Sequence, residues 1–162
     1  MINNIEIVSH SPNDTHSIGI QLGLSAEAGS VILMTGELGA GKTALTQGIA
    51  EGLGVAERPR SPTFVMATEY MGRLPLYHLD LYRIEHASEL DELGLDEYVS
   101  ALGVTVIEWA EKAPKMFLSD YLWITLNVID EETRHIKLVA NHDRYRPFID
   151  YLGVSNLLPG NE

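Results

Sequence analysis

The 162-residue sequence predicts an α/β fold. The expected form is a three-layer sandwich, with a mixed, mainly parallel central sheet, an antiparallel flank, and helices on both faces. Three observations predict it. Val31-Ile32-Leu33-Met34-Thr35 and Val104-Thr105-Val106-Ile107 are short apolar runs with little alternation, as expected of strands buried on both faces. Strand-like and helix-like segments alternate through the first half. Consecutive strand-like segments follow later, which is the pattern of antiparallel pairing.

The elements follow in order. Ile5-Glu6-Ile7-Val8 reads as a short strand. Ser11-Pro12-Asn13-Asp14 opens a helix: serine caps, proline suits the first helical position, and Asp14 favours the positive end of the dipole. Ile18 and Leu22 continue that helix, with a stop expected at Gly29. Val31 to Thr35 is a buried strand. Lys42 to Leu53 is a helix, because Leu45, Ile49 and Leu53 recur every four residues and Gly54 ends it. Phe64 to Tyr70 and Leu76 to Tyr82 read as strands joined by a turn at Met71-Gly72-Arg73. Glu89 to Val99 is helical, in two pieces broken at Gly94. Val104 to Ile107 is the second buried strand and runs into Glu108-Trp109. Tyr121 to Ile129 and His135 to Val139 are further strands, and Arg144 to Leu152 is a helix that closes the core. No repeat or interdomain linker interrupts the chain, so one domain over 1–162 is expected, with a frayed tail from about residue 155.

Composition narrows the function classes. At 45% hydrophobic and 21% charged the chain is globular rather than disordered. It has no cysteine, which excludes disulfides, thiolate metal sites and cysteine nucleophiles. The first residues lack the basic and apolar regions of a signal peptide, and no run reaches the roughly 18 apolar residues of a spanning helix. A soluble cytoplasmic protein, with no membrane partner, is the expectation. The net charge of -12 and scattered basic residues argue against nonspecific binding to RNA or DNA.

The most specific signal is Gly36-Glu37-Leu38-Gly39-Ala40-Gly41-Lys42-Thr43, which fits G-x-x-x-x-G-K-S/T at every fixed position. Gly36 and Gly41 let the backbone approach a ligand without a Cβ in the way. Successive N–H groups converge on an anion, and the following helix adds its positive end. Lys42 reaches the β- and γ-phosphates, and the Thr43 hydroxyl binds Mg²⁺. The motif follows a buried strand and opens a helix, the context a P-loop requires. A nucleoside triphosphate with Mg²⁺ is therefore the expected ligand, and the segment through Ala44 the expected phosphate site.

Such a site needs a further carboxylate and a group that orients the attacking water. Glu108 ends a buried strand, resembling a Walker B strand with Glu for Asp. Asp80, in His78-Leu79-Asp80-Leu81-Tyr82, is the other candidate. Either acid could instead pair with a core arginine such as Arg83. Thr63, in Ser61-Pro62-Thr63, could reach the metal or the γ-phosphate, or belong to a plain turn fixed by Pro62.

Together, the P-loop, Ser61-Pro62-Thr63-Phe64, Tyr77-His78-Leu79-Asp80-Leu81-Tyr82-Arg83, Glu89-Leu90 with Leu93-Gly94 and Glu97-Tyr98, and Ile107-Glu108-Trp109 resemble the TsaE (YjeE) family in order and spacing. The resemblance covers roughly residues 10 to 140. It implies a P-loop NTPase-like fold and a small ATPase that serves threonylcarbamoylation of adenosine 37 in tRNAs reading codons that begin with A. It implies TsaD and TsaB as partners, with hydrolysis slow alone and stimulated by the complex. By position it makes Lys42 a phosphate ligand, Thr43 and Glu108 the Mg²⁺ ligands, Asp80 a positioner of metal or water, and Thr63 a switch residue. Trp109, Ser11, Thr15 and Arg134 are implied near the nucleotide; for Trp109, core packing is the alternative. Two features depart from the family: Gln47 stands where relatives often carry a basic residue, and the segment from Arg144 onward matches nothing in it.

Three rival classes can be set against the same residues. A GTPase would need an N-K-x-D motif, and Asn127-Val128-Ile129-Asp130 lacks the lysine. A small-molecule P-loop kinase is the stronger alternative, with Arg58, Arg60 and Arg83 as possible phosphate neutralisers, but no paired-arginine lid stands out. A nucleotide sensor without turnover is a third. The six histidines show no metal-ligand spacing, so no transition-metal site is expected.

Overall fold

The computed structural model describes residues 3–61, 67–86, 88–99, 102–113 and 120–155. Seven strands form one sheet: β1 (Asn3–Ser9), β2 (Val31–Thr35), β3 (Ala67–Met71), β4 (Pro75–Asp80), β5 (Val104–Glu108), β6 (Leu122–Val128) and β7 (Arg134–Ala140). Their spatial order is β1-β7-β6-β2-β5-β4-β3. The central neighbours β6, β2, β5 and β4 pair in parallel. Antiparallel pairing occurs at both edges, β4 with β3 on one side and β6-β7-β1 on the other. The sequence points to a flank; the sheet has two.

Parallel strands put their C-terminal ends on one rim, and a chain that crosses over there leaves a crevice. Thr35 of β2, Glu108 of β5 and Asp80 of β4 all end on that rim, with Met34 beside Glu108 and Glu108 beside Asp80 in register. This is why one glycine-rich loop and two carboxylates, far apart in the chain, meet.

Alternate strand residues face opposite layers, so each buried strand feeds two cores. Ile32, Met34, Val106 and Leu76 pack with Leu45 and Ile49 of α2 (Lys42–Gly52), with Leu53 at its C-cap, and with Leu22 of α1 (Pro12–Ser25). Val31, Leu33, Ile107 and Leu79 pack with Leu90 of α3 (Ser88–Leu93) and Leu95 of α4 (Leu95–Val99). Each large buried side chain contributes about 1.5–3 kcal/mol before entropy is subtracted. Gly94, at φ +70°, separates α3 from α4 at the expected break. Helix α5 (Arg146–Ser155) closes the first core with Phe148, Ile149 and Leu152. Just before it, the Tyr145 hydroxyl accepts from the Val31 N–H (2.9 Å) and donates to the Val31 carbonyl (3.2 Å). Burial pushes that hydroxyl's pKa up to about 12.

Helices α1 and α2 meet through glycine, a feature the apolar periodicity does not reveal. A methyl at Gly19, Gly23, Gly48 or Gly52 would lie 2.3, 2.2, 2.1 or 2.2 Å from the carbonyl oxygens of Leu45, Ile49, His16 and Ile20 respectively. Pairs of glycines four apart lie on one helical face, so the two backbones touch directly. Arg73, in the β3–β4 turn, binds the far ends of both: its N–H donates to Leu53 and its guanidinium to Gly23 and Ala26.

Boundaries shift by a few residues. Helix α1 ends at Ser25, before Gly29, because Ala26 is already extended; Gly29 sits in the following turn at φ +88°. Of the strand expected over Phe64 to Tyr70, residues 64–66 lie outside the described residues, as does the tail from residue 156; the observed β3 starts at Ala67. Among the described residues no helix is long and apolar enough to cross a membrane.

Candidate functional site

The loop from Gly36 to Gly41 leaves β2 and enters α2 at Gly41, whose φ of +106° excludes most side chains. Its backbone polarity is one-sided. Lys42 Nζ donates to the Gly36 (2.5 Å) and Glu37 (3.0 Å) carbonyls. Arg134 donates through Nη2 to Gly39 (3.2 Å) and through Nε to Ala40 (3.1 Å). The Gly41 carbonyl accepts from the Leu45 N–H. Among the described residues, Ala40 is the one loop amide with a partner, the Glu37 carbonyl at 3.0 Å. The acceptors are consumed and the donors are spare, which suits an anion.

Opposite lies a corner of acceptors. Glu108 is 1% exposed; Oε1 faces the Thr43 hydroxyl at 3.4 Å, and Oε2 accepts from His78 Nε2 at 3.1 Å. Asp80 Oδ2 accepts from the Ser61 hydroxyl (2.8 Å), and Oδ1 from the Tyr82 N–H (2.9 Å). Arg83 is exposed at the surface. A hydroxyl and a carboxylate converging from the loop and β5 form the hard oxygen set that Mg²⁺ takes, with its remaining positions left to water and phosphate. Among the described residues no group of three or more His, Asp or Glu side chains could hold a metal.

Lys42 and Trp109 link the two sides. Lys42 is 6% exposed and its Nζ lies 4.2 Å from the Trp109 ring centre. Burial lowers the Lys42 pKa, offset in part by Glu108, Glu111, Asp80 and Glu37. Trp109 has φ +58°, a left-handed conformation that costs a non-glycine residue about 1–2 kcal/mol. The turn presents its indole to Lys42 and, with ring centres 5.0 Å apart, to Tyr82. The sequence left Trp109 between site and core; its ring packs on the second core as well as against Lys42.

The other expected residues fall into two groups. Ser11 caps α1, accepting from the Asp14 N–H at 3.1 Å, and Thr15 shares a 2.7 Å hydrogen bond with Ser9. The Thr15 methyl lies 3.6 Å from where a Cβ on Gly41 would stand, so this turn abuts the loop. Arg134 grips loop carbonyls and also donates to those of Asp130, Glu131 and Thr133. Leu38 projects from the loop with 76% exposure. Gln47 donates to the Pro59 carbonyl at 2.9 Å. Thr63 lies outside the described residues. Sequence reasoning assigned no role to His78, Ser61 or Tyr82. For His78 a signal existed: a polar residue two positions before Asp80 shares its face of the strand.

A sheet with this rim, loop and carboxylate pair defines a protein of P-loop-like α/β fold. The chain belongs to the TsaE family: the family profile described as "Threonylcarbamoyl adenosine biosynthesis protein TsaE" matches residues 9–136. It is 40% identical over 143 residues to the tRNA threonylcarbamoyladenosine biosynthesis protein TsaE of Bacillus subtilis (strain 168), covering 88% of this chain and 89% of that one. It is 45% identical over 129 residues to the protein of the same description from Nostoc sp. (strain PCC 7120), covering 76% and 78%. The crystal structure of Bacillus subtilis YdiB superposes with a TM-score of 0.80 at 32% identity, covering 96% of this chain and 98% of that one.

Proposed function

We propose that this chain binds ATP with Mg²⁺ and hydrolyses it in the cytoplasm, in service of threonylcarbamoylation of adenosine 37 of tRNAs that read codons beginning with A. It acts on a TsaD–TsaB complex, and the tRNA is not its own stable ligand. The observation that carries this reading is the facing of opposites. A loop with spare donors stands across from two carboxylates with spare acceptors, the arrangement that a metal triphosphate complements on both sides.

The roles follow from position. The loop amides from Gly36 to Thr43 bind phosphate oxygens, and Ala44 continues the helix start behind them. Lys42 leaves the Gly36 and Glu37 carbonyls for the β- and γ-phosphates. Thr43 and Glu108 hold the metal, which when bound neutralises phosphate charge. Asp80 orients the attacking water, and Thr63 acts as the switch residue. Ser11, Thr15 and Trp109 border the nucleotide. Arg134 keeps the loop carbonyls turned away from it. The net charge of -12 suits a protein partner better than the tRNA itself.

Phosphate release from ATP by the purified chain, with and without TsaD and TsaB from the same source, tests the reading. Slow release alone and strong stimulation by the pair are expected. No stimulation, together with phosphate transfer to a metabolite, would replace it with the kinase reading.

A further inference from the structure

His78 is fully buried, yet among the described residues its imidazole Nδ1 has no hydrogen-bond partner. A core position that needed only bulk would be filled at less cost by leucine, because a buried polar atom without a partner loses its hydration for nothing. Among the described residues, the ring's one polar contact is Nε2 to Glu108 Oε2, at 3.1 Å. A carboxylate can only accept, so Nε2 carries the proton. The terminal torsion of a glutamate is broad and two-fold, so burial alone does not fix the carboxylate plane. With Oε2 held by His78, Oε1 is the oxygen left facing Thr43. The sheet register makes this possible: His78 pairs with Val106 and Asp80 with Glu108, so His78 lies diagonally behind the acid on the same face.

We propose that His78 is a positioning residue that sets the plane of the Glu108 carboxylate so that Oε1, and not Oε2, is presented to the metal ion. The proposal rests on the reading of Glu108 as a Mg²⁺ ligand. His78 itself touches neither metal nor nucleotide. It acts as outer-shell partners do elsewhere, through the ligand it orients, where loss of the partner typically weakens metal affinity 10- to 100-fold.

Three variants separate reach from bulk. In His78→Gln the amide nitrogen stands near the place of Nε2 and still reaches Glu108. In His78→Asn it stands near the place of Nδ1 and falls short. His78→Leu has bulk without a donor. The readout is the Mg²⁺ concentration that half-saturates the metal-dependent gain in ATP affinity, titrated by calorimetry on the full chain. ATP binding in EDTA and the thermal midpoint are measured beside it. We expect His78→Asn and His78→Leu to need about 10- to 100-fold more Mg²⁺, His78→Gln to stay within about threefold of the parent, and binding in EDTA to be unchanged throughout. If His78→Leu fails to fold, the Gln and Asn pair decides. Equal Mg²⁺ requirements in Gln and Asn, or loss of fold in Gln, overturn the proposal. A parent chain whose ATP affinity ignores Mg²⁺ overturns the reading of Glu108 first, and the role of His78 with it.

Discussion

The glycine-rich loop and the carboxylate corner solve opposite problems with the same economy. In the loop, two cations and one helical amide occupy five of the six carbonyls from Gly36 to Gly41 and leave amides over. In the corner, one imidazole, two hydroxyls and one amide occupy part of two carboxylates and leave acceptors over. The loop owes its shape to backbone conformations that need glycine. The corner owes its shape to strand register, which places Asp80 beside Glu108. A binding site is thus defined here as much by what its neighbours have already used up as by what it displays.

Four changes break or sharpen that contrast. The largest effect is expected from Glu108→Gln, which keeps the His78 hydrogen bond but removes the charge. Turnover should fall by about 100-fold or more, because charge stabilisation of the reacting phosphate is the main catalytic term in such sites. Phosphate release under single turnover measures it, and full activity would remove Glu108 from the site. Next comes Lys42→Ala. It should weaken ATP about 10- to 100-fold, the worth of a hydrogen bond to a charged group, and leave adenosine binding unaltered. Equal losses for both ligands, read by calorimetry, would take Lys42 off the phosphates. A smaller change, about tenfold in ATP affinity, is expected from Arg134→Ala, which releases the Gly39 and Ala40 carbonyls. Arg134→Lys should not restore it fully, since one nitrogen replaces the spaced Nε and Nη2 pair that reaches the two carbonyls.

The smallest effect is on stability and has a definite sign. Burial lowers the Lys42 pKa from 10.5, so between the lowered value and 10.5 the unfolded chain binds more protons than the folded one. Stability of the nucleotide-free chain therefore rises with pH across that window and is reduced below it. Lys42→Met should flatten this slope and raise the unfolding midpoint at neutral pH by a few degrees. Urea denaturation at a series of pH values measures it, and an unchanged slope would mean that the ammonium is not held at a cost.

How much of this was legible in the sequence depended on which force fixed each part. The β2 run, the P-loop and the α2 face were readable because hydrophobic periodicity and glycine spacing are local signals. The Gly94 break was readable for the same reason. Glu108 and Asp80 stood out because acids at the ends of apolar strands are rare, but their adjacency is a matter of register and is written in no short segment. Arg134 was placed near the nucleotide, and its grip on two loop carbonyls emerges only once β7 lies beside β1 and β6. His78 was passed over because a single polar residue in an apolar strand announces no partner. The strained Trp109 backbone was invisible, since sequence carries no φ for a tryptophan.

The four glycines between α1 and α2 have a mechanical consequence. Where side chains separate two helices, rotamer changes take up small displacements as play in the joint. Here carbonyl meets α-carbon and there is no play. Helix α2 begins at the phosphate loop, α1 begins at the Ser11 turn, and Arg73 clasps the far ends of both. The pair is a stiff lever: whatever moves the loop end by a fraction of an ångström moves the β3–β4 turn at the other end too.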